Sequence, residues 1–365
     1  MKYVIADGVI KLFQLESNRV FSIDIYKYFP RYLIDKPSLE CGWFKYWCLQ
    51  FIQFLICSGI KLFLCPRKGE VGNLSREEVA SVYDREANTY DGKHHLTTHG
   101  ADINWRRKAA AAVVTIGRLR TSQNRSDVFN VLDLCTGTGL TVCEILRQLA
   151  IWNIPAEVIG LDYNQKMLQH AQNRKLVDCN IKTIFVRGDA MDLYSDLSSS
   201  QTSDLIQFPA GTFDIITQMF GIGGINNPIR VFEGVINILK PEGQFFLIDM
   251  HMPIVEQAGE MFLFKWFKFP SLEMMTYWKT TVPLALSRLW GWRDSTLDFY
   301  LLPLITCQDA QGVLWGFEVV NFEVESQIWW LGLPIMPVGS IVVKKIEITL
   351  EEMNKRQALL LMVIA

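Results

Sequence analysis

The chain reads as an α/β protein: a mostly parallel sheet with an antiparallel edge strand, a helical N-terminal segment before it and a helical cap inserted late. Three observations predict this. After Asp127, short apolar runs of strand composition alternate with helical stretches, the pattern of successive βαβ units. The first such run leads directly into a turn with two glycines, and two late runs of strand composition are joined by a connection that suits an antiparallel edge.

Taken in order, residues 1–70 are aromatic without clear periodicity and end at Cys65-Pro66-Arg67-Lys68-Gly69, a natural break. They form an appended segment. Residues 71–126 read as leading helices and a lid. Ser75 is placed to cap a helix whose first turn carries Glu77 and Glu78 near the positive end of its dipole. A polar loop with His94, His95 and His99 follows, read as surface histidines and not as metal ligands because no matching carboxylate motif accompanies them. Helical pattern resumes from Trp105 through an alanine run to Ile116.

The core, 127–255, is expected to hold strands at Phe129 to Leu134, Val158 to Leu161, Ile181 to Val186, Phe213 to Thr217 and Phe245 to Ile248. Helices fill Leu140 to Leu149, Gln165 to Lys175 and Asn227 to Leu239, the last stopped by Lys240-Pro241-Glu242-Gly243. The polar stretch from Ser195 to Phe208 reads as a surface insertion, and 256–310 as a cap over the substrate. In 311–365, Phe317 to Glu325 and Ile341 to Ile348 supply the edge strands, and Thr349-Leu350-Glu351-Glu352 is a capping box that opens a last helix.

Composition narrows the function. A chain of 365 residues, 50% hydrophobic and with a formal charge of −2, buries a good-sized core and lacks the basic field that nucleic acid demands. Eight cysteines without a C-x-x-C pair suggest neither a zinc cage nor a disulfide framework, and a reducing, cytoplasmic setting fits. Two aromatic stretches, 43–65 and 261–306, raise the question of a membrane. The run between Lys45 and Lys61 makes about 22 Å of helix, short of the roughly 30 Å hydrocarbon core. An interfacial or re-entrant helix, with lysines snorkelling at both ends, is preferred over a spanning one. A packed helix of a soluble domain is the plainer alternative.

The chemistry concentrates in Val131-Leu132-Asp133-Leu134-Cys135-Thr136-Gly137-Thr138-Gly139. Glycines let bare backbone approach a ligand, and the N-terminus of the following helix offers N–H groups to an anion. The position of a third dinucleotide-type glycine is taken by Val142, which argues against NAD or FAD. About twenty residues on, Asp162 ends the second strand, where a carboxylate can accept from both ribose hydroxyls; capping the next helix is its plainer role. Asp189 and Ala190 end the third strand, and an acid beside a backbone N–H suits an adenine edge. Asp192 reads as a solvated turn residue.

With Thr212-Phe213-Asp214-Ile215-Ile216 and Leu239-Lys240-Pro241-Glu242-Gly243-Gln244, these elements resemble the ordered motifs of Rossmann-like class I methyltransferases dependent on S-adenosylmethionine (SAM). Within that class the chain most resembles the ubiquinone/menaquinone biosynthesis C-methyltransferases, from about Val79 to Ile348. Val82 to Asp91, Gly100 and Trp105-Arg106 look like that family's lid. The resemblance implies SAM as donor, with Asp133, Cys135, Thr136, Gly137, Thr138, Gly139, Asp162, Tyr163, Asp189, Ala190 and Gln218 around it, and Tyr90 lining the donor and acceptor pocket. It departs at Gln218 to Gly224, where the quinone enzymes carry a serine and then an arginine-asparagine pair.

Methyl transfer needs alignment more than reactive side chains, yet an acceptor with a proton to lose calls for a base. His251 is the first candidate, beyond the strand Phe245 to Ile248 at the carboxyl edge of the sheet, with Asp249 beside it and His99 and Asp102 as others. A histidine that merely hydrogen bonds in the loop before Pro253 is an equal reading. The aromatic and cationic insertion suits a hydrophobic acceptor such as a quinone, phenolic or isoprenoid lipid met at the membrane surface. A soluble metabolite, or SAM binding without transfer, are the alternatives, and the sequence leaves the oligomeric state open.

Overall fold

Alternating apolar positions dictate the central layer. Val131 and Ile215 face one cluster of buried side chains while Leu132 and Ile216 face another, the period of two that a sheet buried on both faces requires. In a computed structural model of the chain, the described residues are 2–6, 9–14, 19–24, 75–98, 100–176, 181–194, 205–251, 295–325, 329–330, 333–334 and 338–364. The aromatic stretch 43–65, most of 261–306, His99 and the serine-rich part of the 195–208 insertion lie outside them.

Strands β1 (Lys2–Ala6), β2 (Val9–Gln14) and β3 (Arg19–Asp24) form an antiparallel meander, so the first residues hold strands where the pattern reading found only irregular segment. Three helices come next: α1 (Arg76–Glu86), α2 (Tyr90–Thr97) and α3 (Ala101–Ser122). Ser75 and Glu78 make the reciprocal capping box at the head of α1. The expected polar loop of histidines is instead α2, an eight-residue helix, and His94 is buried in it. The stretch turns helical because packing of Tyr90 and His94 against neighbouring rings outweighs weak local propensity.

The core then alternates: β4 (Asn130–Leu134), α4 (Leu140–Ile151), β5 (Glu157–Asp162), α5 (Gln165–Gln172), β6 (Lys182–Arg187), β7 (Phe213–Met219), α6 (Pro228–Ile238) and β8 (Leu239–Met250). After α7 (Thr296–Leu301) come β9 (Thr306–Gln308), β10 (Leu314–Glu325), the short pair β11 (Trp329–Trp330) and β12 (Leu333–Pro334), then β13 (Val338–Glu347) and α8 (Leu350–Ile364). The main sheet runs β6-β5-β4-β7-β8-β13-β10-β9, parallel from β6 to β8 and antiparallel beyond. Lys240 to Gly243, expected only to stop a helix, lie inside β8 as a bulge: pairing jumps from Phe213↔Leu239 to Ile215↔Gln244, with Glu242 at φ 65.

This order places the site. Connections leave β4 toward β5 on one side and arrive at β7 on the other, so a crevice opens outside the carboxyl ends of β4 and β7. Helices α3 and α4 cover one face through Val113, Val142 and Ile145, while α6 and α7 cover the other through Phe232 and Phe299. Emptying one such ring to alanine costs about 3–5 kcal/mol. At the opposite rim, Asp214 at the start of β7 is buried against Arg120 of α3 and takes Lys240 Nζ at 2.9 Å and Asn130 N at 2.9 Å, which fixes α3 along the sheet.

Candidate active site

The turn after β4 is built to expose backbone. Cys135, Gly137 and Gly139 sit at φ 53, 56 and 80, and the two glycines serve different ends. A Cβ on Gly139 would lie 3.0 Å from Ala171 and 3.2 Å from Phe185, so glycine there permits close packing. A Cβ on Gly137 would meet nothing within 4 Å: its bare face is open. Beneath the turn, buried Asp133 accepts from Thr136 Oγ1 at 2.7 Å and Thr217 Oγ1 at 2.8 Å, locking the bend to β7. Burial raises its carboxyl to about 6, against the pull of those two hydroxyls. Val142, in place of a third glycine, is fully buried.

Asp162 closes β5 beside that turn. Its Oδ2 accepts from Gly137 N at 2.8 Å and its Oδ1 from Asn164 N at 2.8 Å. A carboxylate has about four acceptor positions, so both oxygens keep capacity toward the crevice. Burial raises its pKa, with the backbone donors opposing. The helix-capping role belongs to Asn164, whose side chain accepts from Met167 N at 2.9 Å.

Two hollows meet at this point. The larger opens to solvent and has a cavity volume of about 120 Å³. Cys135, Gly137, Asp162, Tyr163, Asp189 and Ala190 contribute to one side of it. Helix α1, the end of β7 and the segment after it make an apolar wall from Val79, Tyr83, Met219, Phe220 and Ile225. The smaller hollow is polar, with Asp133, Thr136, Thr138, Arg106 and His94 around the first turn of α4. Tyr90, Cys135, Gly137, Met219 and Phe220 border both. Burial pushes the Tyr90 phenol up to about 12 and raises Tyr83 and Cys135 as well, so these groups stay protonated near neutrality.

The lid is tied to the same residues that line the crevice. Arg76 of α1 pairs with Asp189, whose other oxygen accepts from Met191 N at 2.9 Å. Asn164 Nδ2 donates to Ala80 O at 2.9 Å and to Asp84 Oδ1 at 3.0 Å. Asp91 of α2 accepts from Thr138 Oγ1 and from Arg174 Nη2, each at 2.5 Å. Sequence reading found the acids of the core but not these partners, since nothing in local spacing tells Arg76 or Arg174 which carboxylate it will meet.

Four expected site residues border neither hollow. Gln218 is fully buried; with its amide oxygen toward the following turn it accepts from Ile222 N at 2.8 Å, so it shapes the loop and does not border the hollows. Asp249 lies behind the same turn, accepting from Gly223 N and from Ser295 Oγ, each at 3.3 Å. His251 is enclosed by the rings of Phe299, Tyr300 and Phe322 at 5.1, 5.6 and 5.3 Å, and borders neither hollow. The carboxyl end of β8 does reach the rim, but the Gly221 to Ile225 turn stands between it and the crevice. Gly139 packs behind the bend, and Asp192 is exposed as expected.

The sequence profile of the ubiE/COQ5 methyltransferase family matches residues 71–276, more than half of the chain. The chain belongs to the ubiE/COQ5 methyltransferase family. It is a SAM-dependent methyltransferase. Among curated relatives of this family member, the demethylmenaquinone methyltransferase of Thermotoga maritima is 27% identical over 59% of this chain and 75% of its own length. That of Lactiplantibacillus plantarum is 26% identical over 50% of this chain and 67% of its own, and that of Lactobacillus johnsonii 30% over 48% and 62%. Among solved structures, Haemonchus contortus phosphoethanolamine N-methyltransferase 1 matches with a TM-score of 0.43 at 14% identity, covering 80% of this chain and 54% of that one. SAM suits the residues present in this ubiE/COQ5 relative: an open glycine face, a carboxylate with spare acceptor positions and a polar hollow at a helix N-terminus.

Proposed function

We propose that this methyltransferase transfers the methyl group of SAM to a hydrophobic small molecule of the quinol or phenol class. The observation that carries the reading is the apolar wall of Val79, Tyr83, Met219, Phe220 and Ile225, continuous with the side of the hollow where Asp162 and Asp189 stand. The names of the curated relatives, demethylmenaquinone methyltransferases, support the same class. In this reading Asp162 accepts from the ribose hydroxyls, Asp189 and Ala190 N–H meet the adenine edge, and Arg106 with the first turn of α4 takes the methionyl carboxylate. Bound there, SAM supplies a methyl carbon on a cationic sulfur, and Tyr90 stands at the junction where that sulfur belongs.

A greasy acceptor resides in a bilayer, and the aromatic, lysine-flanked stretches 43–65 and 261–306 supply the composition of a peripheral contact from the cytoplasmic side. No described helix is long and apolar enough to cross a membrane. The test is transfer of radiolabel from SAM to a reduced 2-alkyl-1,4-naphthoquinol presented in vesicles. Label in the organic extract is expected. Label that enters only water-soluble products, or none despite SAM binding, contradicts the reading.

A further inference from the structure

Outside the roles above, the molecule holds a histidine and a carboxylate facing one another next to the crevice. His94 of α2 is 5% exposed and borders the polar hollow. Its ring lies 5.7 Å from that of Tyr90 and 5.5 Å from that of Phe220, both of which border the two hollows at their junction. Across the Gly100 corner, Asp102 of α3 places Oδ2 3.7 Å from His94 Nδ1. Asp102 is itself immobilised: it is 2% exposed, accepts from Thr98 Oγ1 at 3.0 Å and pairs with Arg106.

Resting on the acceptor reading above, we propose that His94, oriented by Asp102, is the base that removes the acceptor's hydroxyl proton during methyl transfer. At 3.7 Å, longer than a hydrogen bond, the Asp102 carboxylate acts on Nδ1 through its charge, favouring the tautomer with its lone pair on Nε2 and stabilising the imidazolium once formed. The O–H proton of a phenolic acceptor passes to Nε2. The electron pair released into the ring forms the new bond to the methyl carbon as the carbon–sulfur bond breaks, its pair remaining on sulfur. The proton of the methylated ring carbon then leaves to solvent and His94 returns its own to the oxygen, so one proton is released per turnover. Asp102 acts through His94 and is a positioning residue.

The groups around His94 set its working range. Tyr90, Asp91 and His95 belong to its own helix, Asp102 and Arg106 to α3, Asp133 to the end of β4 and Cys135 to the turn that follows it. Exposed His95 has Nδ1 3.5 Å from Asp102 Oδ1. Burial lowers the His94 pKa below its usual 6.5, Asp102 and Asp91 pull the other way, and the net direction is down, so His94 is neutral at pH 7.

Two measurements on the full chain decide the matter. Nitrogen NMR of histidine-labelled protein with S-adenosylhomocysteine bound, with His94 assigned by its loss in His94→Gln, should show a neutral Nδ1–H ring at pH 7 whose titration shifts in Asp102→Asn. A charged ring at pH 7, or the opposite tautomer, overturns the proposal. With the naphthoquinol probe and saturating SAM, His94→Gln should lower kcat by about 10²–10⁴-fold and remove the acid limb of the pH profile. A kcat within about fivefold with the acid limb intact overturns it. A wild-type enzyme inactive on the probe at every pH defeats the acceptor reading instead, and the NMR result still judges His94.

Discussion

The Gly137 N–H donates to Asp162 Oδ2 at 2.8 Å, so the bend after β4 and the acid closing β5 are one hydrogen-bonded unit. Two strands that pair in parallel deliver both groups to the same edge, and the bond fixes the carboxylate with its remaining acceptor positions toward the crevice. Replacing Asp162 by asparagine presents an NH2 group to one of two N–H donors. The expected outcome is a loss of about 1–3 kcal/mol of stability in urea unfolding, and a fall of about 10–100-fold in S-adenosylhomocysteine affinity by calorimetry.

Gly137 and Gly139 should respond differently to alanine. At Gly137 the added methyl meets no protein atom, so Gly137→Ala costs only the left-handed strain of about 1–2 kcal/mol while its methyl intrudes on the ligand and lowers S-adenosylhomocysteine affinity at least about tenfold. At Gly139 the same strain adds to contacts with Ala171 and Phe185, so Gly139→Ala should show the larger drop in Tm. Equal drops in Tm with unchanged binding at both positions contradict the assignment of the open face.

Asp133 should couple stability to pH. Its carboxyl, raised to about 6 by burial from an ordinary 3.8, holds its proton more tightly in the folded state than in the unfolded chain. Its contribution is therefore fully present below about pH 4 and is lost as pH rises to 6. The stability of the wild type relative to Asp133→Asn should fall by on the order of 3 kcal/mol across that window and then level. Urea unfolding of both proteins at pH 4, 5, 6 and 7 checks this; a constant difference contradicts it.

Much of the donor side was legible because it is local. A buried strand, a glycine bend and an acid one strand later lie within short reach of one another in sequence, and parallel pairing carries Gly137, Asp162 and Asp189 to one rim. Asp102 was among the candidate bases, but its meeting with His94 and Arg106 was not legible, because it depends on how α2 folds back on α3 around Gly100. His251 and Asp249 border neither hollow for a related reason: strand position puts a residue at the rim, but the left-handed Phe220 and the turn after it decide which rim residues the crevice sees. Gln218 shows the period of two at work, since Met219, its neighbour, takes the side facing the hollows.

The Arg120–Asp214 pair tests the scaffold apart from the site. Both side chains are buried, and removing Asp214 takes one of two carboxylates from Arg120, which keeps Asp127 Oδ1 at 2.9 Å. Asp214→Ala should cost about 1.5–3 kcal/mol in urea unfolding, yet protein that remains folded should bind S-adenosylhomocysteine within about threefold of wild type, because the pair lies at the opposite rim of the sheet.

The most direct test of the donor site is titration calorimetry of the purified, folded chain with S-adenosylhomocysteine. One site per chain is expected, with binding weakened at least about tenfold in Asp162→Ala. Folded protein that takes up none of the compound, or an Asp162→Ala variant that binds as wild type does, would contradict the assignment.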